Sequence, residues 1–451
     1  MVVLSCSLGW LSGKLNLLKI IISRLGMLLL LGVIPSVAET PTYSAAATYD
    51  SPSIAALHKA DESGDAGAVE EFWKAVMKHS APLIEPIPGN HDFSFVTFLW
   101  RGDPATKNVV IFDGVAAFDA KDQMLRLDRT NVWFKTYKVR NDARFAYNLS
   151  PNDPLTSFDE IKGDDAMRHR LAMLLVDPLN RHRCPTTFGA YGAESSYVEL
   201  PNAVPLAWNA PSPPASRGKV VVASVTSAYL KDQKKVWVYT PVGYSARRRP
   251  YPLLVLFDGD RNVDWVPRIL DNLIRQQQIP PMVAVLVDDS VPSARRSELP
   301  ANPLFADFLA RELVPWSREK YHTTKEAART VVAGSSYGGL AAVFAALCHP
   351  EVFGNVISLS GSFWWKPDGE KEGEWHTRLV TSTPTLPLRF YLEVGLMESY
   401  STQVAANRHM RDALMAKGYG LRYAEFDGGH SFLTWSGGMA NGLVFLMGQK
   451  N

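Results

Sequence analysis

Thr330 to Leu347 reads TVVAGSSYGGLAAVFAAL. Its start is β-branched and apolar, its middle is a tight run of Gly and Ser, and its end is rich in alanine. That order predicts a strand, a sharp turn and a helix. Gly334, Ser336 and Gly338 make the pattern G-x-S-x-G, in which a serine held on a strained strand-to-helix turn exposes its hydroxyl. Side chains two residues before and after that serine are expected to collide as strand and helix close on each other, so glycine is called for at both places. The helix aims its N-terminal N–H groups and dipole at the reacting centre, where they stabilise a developing oxyanion. Ser336 is therefore the candidate nucleophile, and the N–H of Tyr337 one oxyanion donor.

Outward from this turn, strand-like runs lie at 220–230, 236–242, 252–260, 282–289, 355–361, 388–395 and 421–428, and helical runs separate the later ones. Continuous apolar strands flanked by helices describe a mainly parallel sheet buried on both faces. This is the layout of an α/β-hydrolase, assigned to residues 220–451. A serine hydroxyl needs an adjacent base oriented by a third group, and in this fold the chain order is Ser, acid, His. His430 follows the last strand in FDGGHSFLTW, where Gly428 and Gly429 let the loop approach the nucleophile. His409, on an expected 402–416 helix, and His376, in an expected loop, fit the base role less well. For the acid, Glu398 lies in the loop after the strand LRFYLEVG and is preferred over Glu393, which is still within the strand. The second oxyanion donor is expected from Gly259 in the loop Phe257-Asp258-Gly259-Asp260; binding of polar substrate groups by the two aspartates is the alternative. No cofactor and no thiol-based metal site is expected.

The upstream half reads differently. Met1 to Ala38 has basic residues, an apolar core at Leu25 to Ile34 and the small residues Ser36 and Ala38, the pattern of a cleaved export signal. Lys19 and Arg24 interrupt the longer apolar run and argue against a spanning anchor. The chain has 47 basic and 45 acidic residues, and 47 less Lys14, Lys19 and Arg24 leaves 44 against 45, a net charge of −1. A nearly neutral mature chain gives no electrostatic case for nucleic acid or an anionic membrane surface. Of three cysteines, Cys184 and Cys348 remain after the signal, and free thiols are expected.

Residues 39–90 read as a flexible leader to about residue 64 followed by a helix, Ala66 to His79. Residues 91–208 hold short aromatic or β-branched runs, FSFVTFLWRG, NVVIFDGV, VWFKTYKV and RFAYNLSP, without intervening helices, which suggests an all-β sandwich. Gly89-Asn90-His91-Asp92 matches a fragment of metallophosphoesterases, but no Asp-x-His precedes it, so it reads as a turn. Residues 209–219, NAPSPPASRGK, have the composition of an interdomain linker.

With these residues in place the chain resembles the enterochelin (enterobactin) esterase family over both halves. VTFLWRGD, VWFKTY and VDPLN resemble that family's sandwich domain; LLVLFDGD, RRSELPAN leading into FLARELVPW, GSSYGGLAA and DGGHSFLTW resemble its catalytic domain. The resemblance implies a serine esterase that opens the triserine trilactone of catecholate siderophores through Ser336, His430 and the acid. It also implies that Arg295, three residues before Glu298-Leu299, pairs with an anionic catecholate; an ion pair from Arg295 to Glu298 is the alternative. Trp364 and Trp435 are either aromatic walls of the substrate site or core. The two-domain members are cytoplasmic, whereas the export signal here implies a periplasmic or secreted protein. That difference leaves open another carboxylesterase, an acyltransferase, a carbohydrate esterase or a non-catalytic siderophore-binding protein.

Overall fold

Alternation of side chains along each strand sorts this chain into cores, as the computed structural model shows for residues 43–116, 122–157, 160–186 and 193–448. The expected export signal lies outside the described residues. The upstream half contains β1 (Tyr43–Ala45), α1 (Pro52–Glu62), α2 (Ala68–His79), β2 (Leu83–Ile87), β3 (Asn90–Arg101) and β4 (Val109–Phe112). It continues with β5 (Leu125–Arg126), β6 (Val132–Arg140), β7 (Arg144–Pro151), α3 (Asp164–Ala172), β8 (Arg183–Pro185) and β9 (Glu194–Glu199). Two antiparallel sheets result, ordered β1-β6-β3-β2 with β5 on β6, and β4-β7-β9-β8. On β3, Val96 and Phe98 face a core shared with Ile111, Phe145 and Tyr147, whereas Leu99 points the other way and joins Phe134, Trp73 and Ile54.

That second cluster corrects the expected leader. Residues 52–62 form α1, capped by Ser51, whose hydroxyl accepts from the Ile54 N–H, and they bury Ile54 and Leu57. Glu85 of β2 ties this helix down by accepting hydrogen bonds from Ser51, Ser53 and the Ser53 N–H. Polar composition here reflects capping and one exposed helix face rather than disorder. The sandwich also begins before residue 91, because β1 and β2 pair with β6 and β3. Pro88 and Gly89 form the turn between β2 and β3, with Gly89 at a positive φ of 74°.

The downstream half opens with β10 (Lys219–Ser227), β11 (Asp232–Thr240), β12 (Leu253–Leu256), α4 (Gly259–Asn262), α5 (Val266–Arg275) and β13 (Val283–Val287). Next come α6 (Pro292–Glu298), α7 (Pro303–Phe308), α8 (Val314–Tyr321), β14 (Thr330–Ser335), α9 (Tyr337–Cys348) and β15 (Asn355–Leu359). The chain ends with α10 (Trp375–Ser382), β16 (Arg389–Gly395), α11 (Ala405–Ala416), β17 (Gly420–Phe426) and α12 (Phe432–Met447). The eight strands order β10-β11-β13-β12-β14-β15-β16-β17. Strands β12 to β17 are parallel, and β10 and β11 run antiparallel at one edge. Val332 faces the cluster containing Leu340 and Phe344 of α9, while Val331 and Ala333 face the one containing Leu270 of α5 and Leu443 of α12. Helices thus cover both faces, as the apolar runs require. The linker and the residue before it are pinned to the catalytic half: Asn272 donates to the carbonyls of Trp208 and Ala210, and Asp271 accepts from the Gly218 N–H. Among the described residues neither Cys184 nor Cys348 is in a disulfide, and no helix is long and apolar enough to cross a membrane.

Candidate active site

Because β12, β14, β15, β16 and β17 are parallel, the loops that follow them emerge along one edge of the sheet. Those loops carry Gly259, Ser336, Ser360, Glu398 and His430. Ser336 sits between β14 and α9 at φ 56° and ψ −121°, a strained conformation for a residue with a side chain. It is held there by its neighbours: its N–H donates to the Leu359 carbonyl at 2.9 Å, and its carbonyl accepts from the Ser362 N–H at 3.1 Å. A Cβ on Gly334 would stand 2.3 Å from the backbone of Gly338, so glycine is obligatory before the serine. After the serine the crowded position is Gly339, where a Cβ would stand 2.6 Å from Ser358 Oγ, while one at Gly338 would find ordinary contact with Asp258 at 3.4 Å. The collision expected at Gly338 therefore falls one residue later.

Glu398 and His430 are brought together: His430 Nδ1 lies 2.6 Å from Glu398 Oε2. The other carboxylate oxygen accepts from Ser360 Oγ at 2.5 Å and from the Gly395 N–H at 3.0 Å. Ser360, at a φ of 47°, in turn accepts from Trp435 Nε1 at 3.0 Å. The Trp435 ring packs edge-on against His430, with centroids 4.7 Å apart. The loop after β15 also reaches Ser336, since Ser362 Oγ is 3.3 Å from Ser336 Oγ. With Nδ1 engaged by a carboxylate, the opposite ring nitrogen is the one placed to handle a proton. Glu393 is directed elsewhere; it accepts from Tyr391 at 2.5 Å and packs against Gly438 of α12. Burial pushes its carboxyl up to about 7, and the charge of Glu398 adds to the rise.

Three expectations change. Arg295 does not pair with Glu298; it forks onto Asp258, with Nε 2.5 Å from Oδ1 and Nη2 2.9 Å from Oδ2. Glu298 instead accepts from Lys234 at 2.6 Å. Burial raises the Asp258 carboxyl, but the Arg295 charge and hydrogen bonds prevail and hold it below the usual carboxylate range. The fork fixes the loop carrying Gly259, where a Cβ would stand 2.8 Å from the β13 backbone. Second, Trp435 is buried under His430 and is no substrate wall, whereas Trp364 is 42% exposed and lies 6.2 Å from the Tyr337 ring. Third, His376 lies in α10 rather than in a loop, fully buried against Trp365, Trp375 and Phe344, and burial pushes its imidazole down to about 3. Exposed His409 pairs with Glu374.

Sequence reasoning missed Ser360 and Ser362. Their signal was positional: they directly follow the strand beside the elbow strand, and in an open α/β sheet the carboxyl ends of adjacent strands build the site. From the Arg295 fork, Arg295→Ala is expected to destabilise the fold by on the order of 3 kcal/mol, because a buried carboxylate loses its partner. Its kcat should then fall alike on neutral and anionic esters, read by a thermal melt and parallel kinetics.

A serine elbow on this sheet, with a His–Glu pair carried by loops at the same edge, is the layout of a serine hydrolase of the α/β-hydrolase fold. Residues 227–446 match the family model described as "Putative esterase", and residues 95–209 match that of the enterochelin esterase N-terminal domain. The iron(III) enterobactin esterase of Escherichia coli K12 is 32% identical over 378 residues, which cover 79% of this chain and 92% of that one. An iron(III) salmochelin esterase of Escherichia coli O6:H1 is 29% identical, with 88% and 98% covered. The enterobactin esterase of Shigella flexneri, solved in the presence of enterobactin, superposes with a TM-score of 0.67 at 30% identity, covering 84% of this chain and 97% of that one. The chain belongs to the enterochelin esterase family and is a carboxylic ester hydrolase.

Proposed function

We propose that this protein hydrolyses the ester bonds of a catecholate siderophore trilactone of the enterobactin type, with Ser336 as nucleophile, His430 as general base and Glu398 as the orienting acid. The observation that carries the chemistry is the 2.6 Å contact of Glu398 with His430 Nδ1, at the same edge of the sheet as the strained Ser336 turn. The substrate rests on relatives that are named for enterobactin and salmochelin and match this chain over nearly their whole length. Ser336 attacks a lactone carbonyl as His430 takes its proton; the N–H groups of Tyr337 and Gly259 receive the oxyanion, and His430 returns the proton to the departing serine oxygen. Water then attacks the acyl-enzyme by the same route. Tyr337 and Trp364 form an aromatic shelf beside the nucleophile, suited to a catecholate ring. Metal enters as the substrate's iron, and neither a nucleic-acid partner nor stable membrane insertion after signal cleavage is expected.

We place the protein in the periplasm or outside the cell, on the signal-like Met1 to Ala38. Cell fractionation with N-terminal sequencing checks this, with Glu39 the expected first residue. For the substrate, the trilactone, free and iron-loaded, is incubated with enzyme and chromatographed. Linear trimer, dimer and monomer of the catechoyl-serine unit are expected, because one site reading one arm can act on each ester in turn. No product from either form, alongside good turnover of simple aryl esters, would reject the siderophore reading.

A further inference from the structure

The two loops that present Glu398 and His430 both dock on the sandwich domain. Met397, beside Glu398, is buried in the hydrophobic cluster that contains Val115, Phe145 and Leu200. The Asp427 carbonyl accepts from the Arg144 N–H at 2.9 Å, and its carboxylate lies 3.3 Å from Arg140. Gly428 and Gly429, which lead into His430, leave no slack: a Cβ on Gly428 would stand 2.5 Å from the Arg144 carbonyl oxygen. One on Gly429 would stand 3.1 Å from Asp113 Oδ1 and 3.2 Å from Gly114 Cα. Asp113 is itself shaped for this place, held at a φ of 69° with its Oδ1 accepting from the Gly114 N–H at 2.7 Å. It is buried, and nothing in the reaction described above uses it.

We propose that the sandwich domain is part of the catalytic machinery, and that Asp113 is a positioning residue that seats the His430 loop and sets a second carboxylate behind the His430–Glu398 pair. The titratable groups facing Asp113 are His430 and Glu398 from the catalytic domain and Cys184 from β8. The nearby Arg144 and Arg140 are paired with Glu199 and with Asp142 and Asp427. Burial pushes the Asp113 carboxyl up to about 7; the Gly114 hydrogen bond and the His430 charge pull it down, and Glu398 pushes it up. Above that pH the ionised carboxylate favours the imidazolium that His430 becomes when it takes the serine proton. Below it Asp113 is neutral and that support is withdrawn. Only the Ser–His–Glu reading is assumed, not the siderophore.

The test is Asp113→Asn in the full mature chain, with p-nitrophenyl acetate as probe, so that failure of the trilactone reading leaves the assay intact. Asn tolerates a positive φ as Asp does, and a thermal melt checks folding. At about pH 8 kcat is expected to fall about tenfold, the equivalent of one pKa unit, with KM unchanged. The deficit should shrink toward about pH 6, where wild-type Asp113 takes up its proton. Asp113→Ser, whose hydroxyl can still accept from Gly114, should show the same pH-dependent deficit and serves if the amide does not fold. Unchanged kcat, or a loss equal at every pH, would overturn the proposal.

Discussion

Ser336→Ala is expected to lower turnover of an activated aryl ester by a factor on the order of 10⁴ to 10⁶, with the melting temperature unchanged. The size follows from what is removed: without the hydroxyl no acyl-enzyme forms, and the remaining rate is water attack aided by the oxyanion donors alone. The fold is spared because Ser336 is held by its backbone, through Leu359 and Ser362, and its hydroxyl makes one weak contact at 3.3 Å. Alanine at φ 56° carries the same backbone strain as serine, so the substitution adds none. Steady-state kinetics and a thermal melt on the same sample check both halves.

Glu398→Gln is expected to cost a factor on the order of 10⁴ in kcat, as loss of the triad acid does elsewhere. An amide at this place cannot stabilise the imidazolium, and it presents an N–H where His430 Nδ1 needs an acceptor. Glu393→Gln should leave kcat within a few fold. Its readout is stability against pH. The folded carboxyl titrates at about 7, above the ~4.3 of an unfolded chain. The stability it contributes is therefore complete below about pH 4 and lost as pH rises through about 7. Glu393→Gln should remove that part of the decline. Chemical denaturation across pH, beside kinetics of both variants, separates the two roles; a larger kinetic loss for Glu393→Gln would reassign the acid.

The strands were legible because each is a block of apolar residues bounded by turns, and β14 with its Gly/Ser turn reads almost without ambiguity. Glu398 and His430 were legible from chain order, since each leaves the end of a recognisable strand. The short β1, β5 and β8 were not, because two or three residues carry no periodicity. The fate of Arg295 was hidden for another reason: Asp258 lies 37 residues away in sequence, and only the fold brings that carboxylate closer than Glu298. Trp435 reads equally well as core or wall, because composition does not say which face of α12 meets the sheet. Asp113 had no local signal at all, since its relation to His430 spans two domains.

The most direct measurement is an acid quench of the enzyme within its first turnover of the trilactone, followed by mass analysis of the intact chain and its peptides. Attack of Ser336 on a lactone opens the ring without losing a fragment, so the chain should gain the mass of the whole trilactone, carried on the peptide that contains Ser336. Product formation with Ser336 unmodified, or the adduct on another residue, would contradict the account.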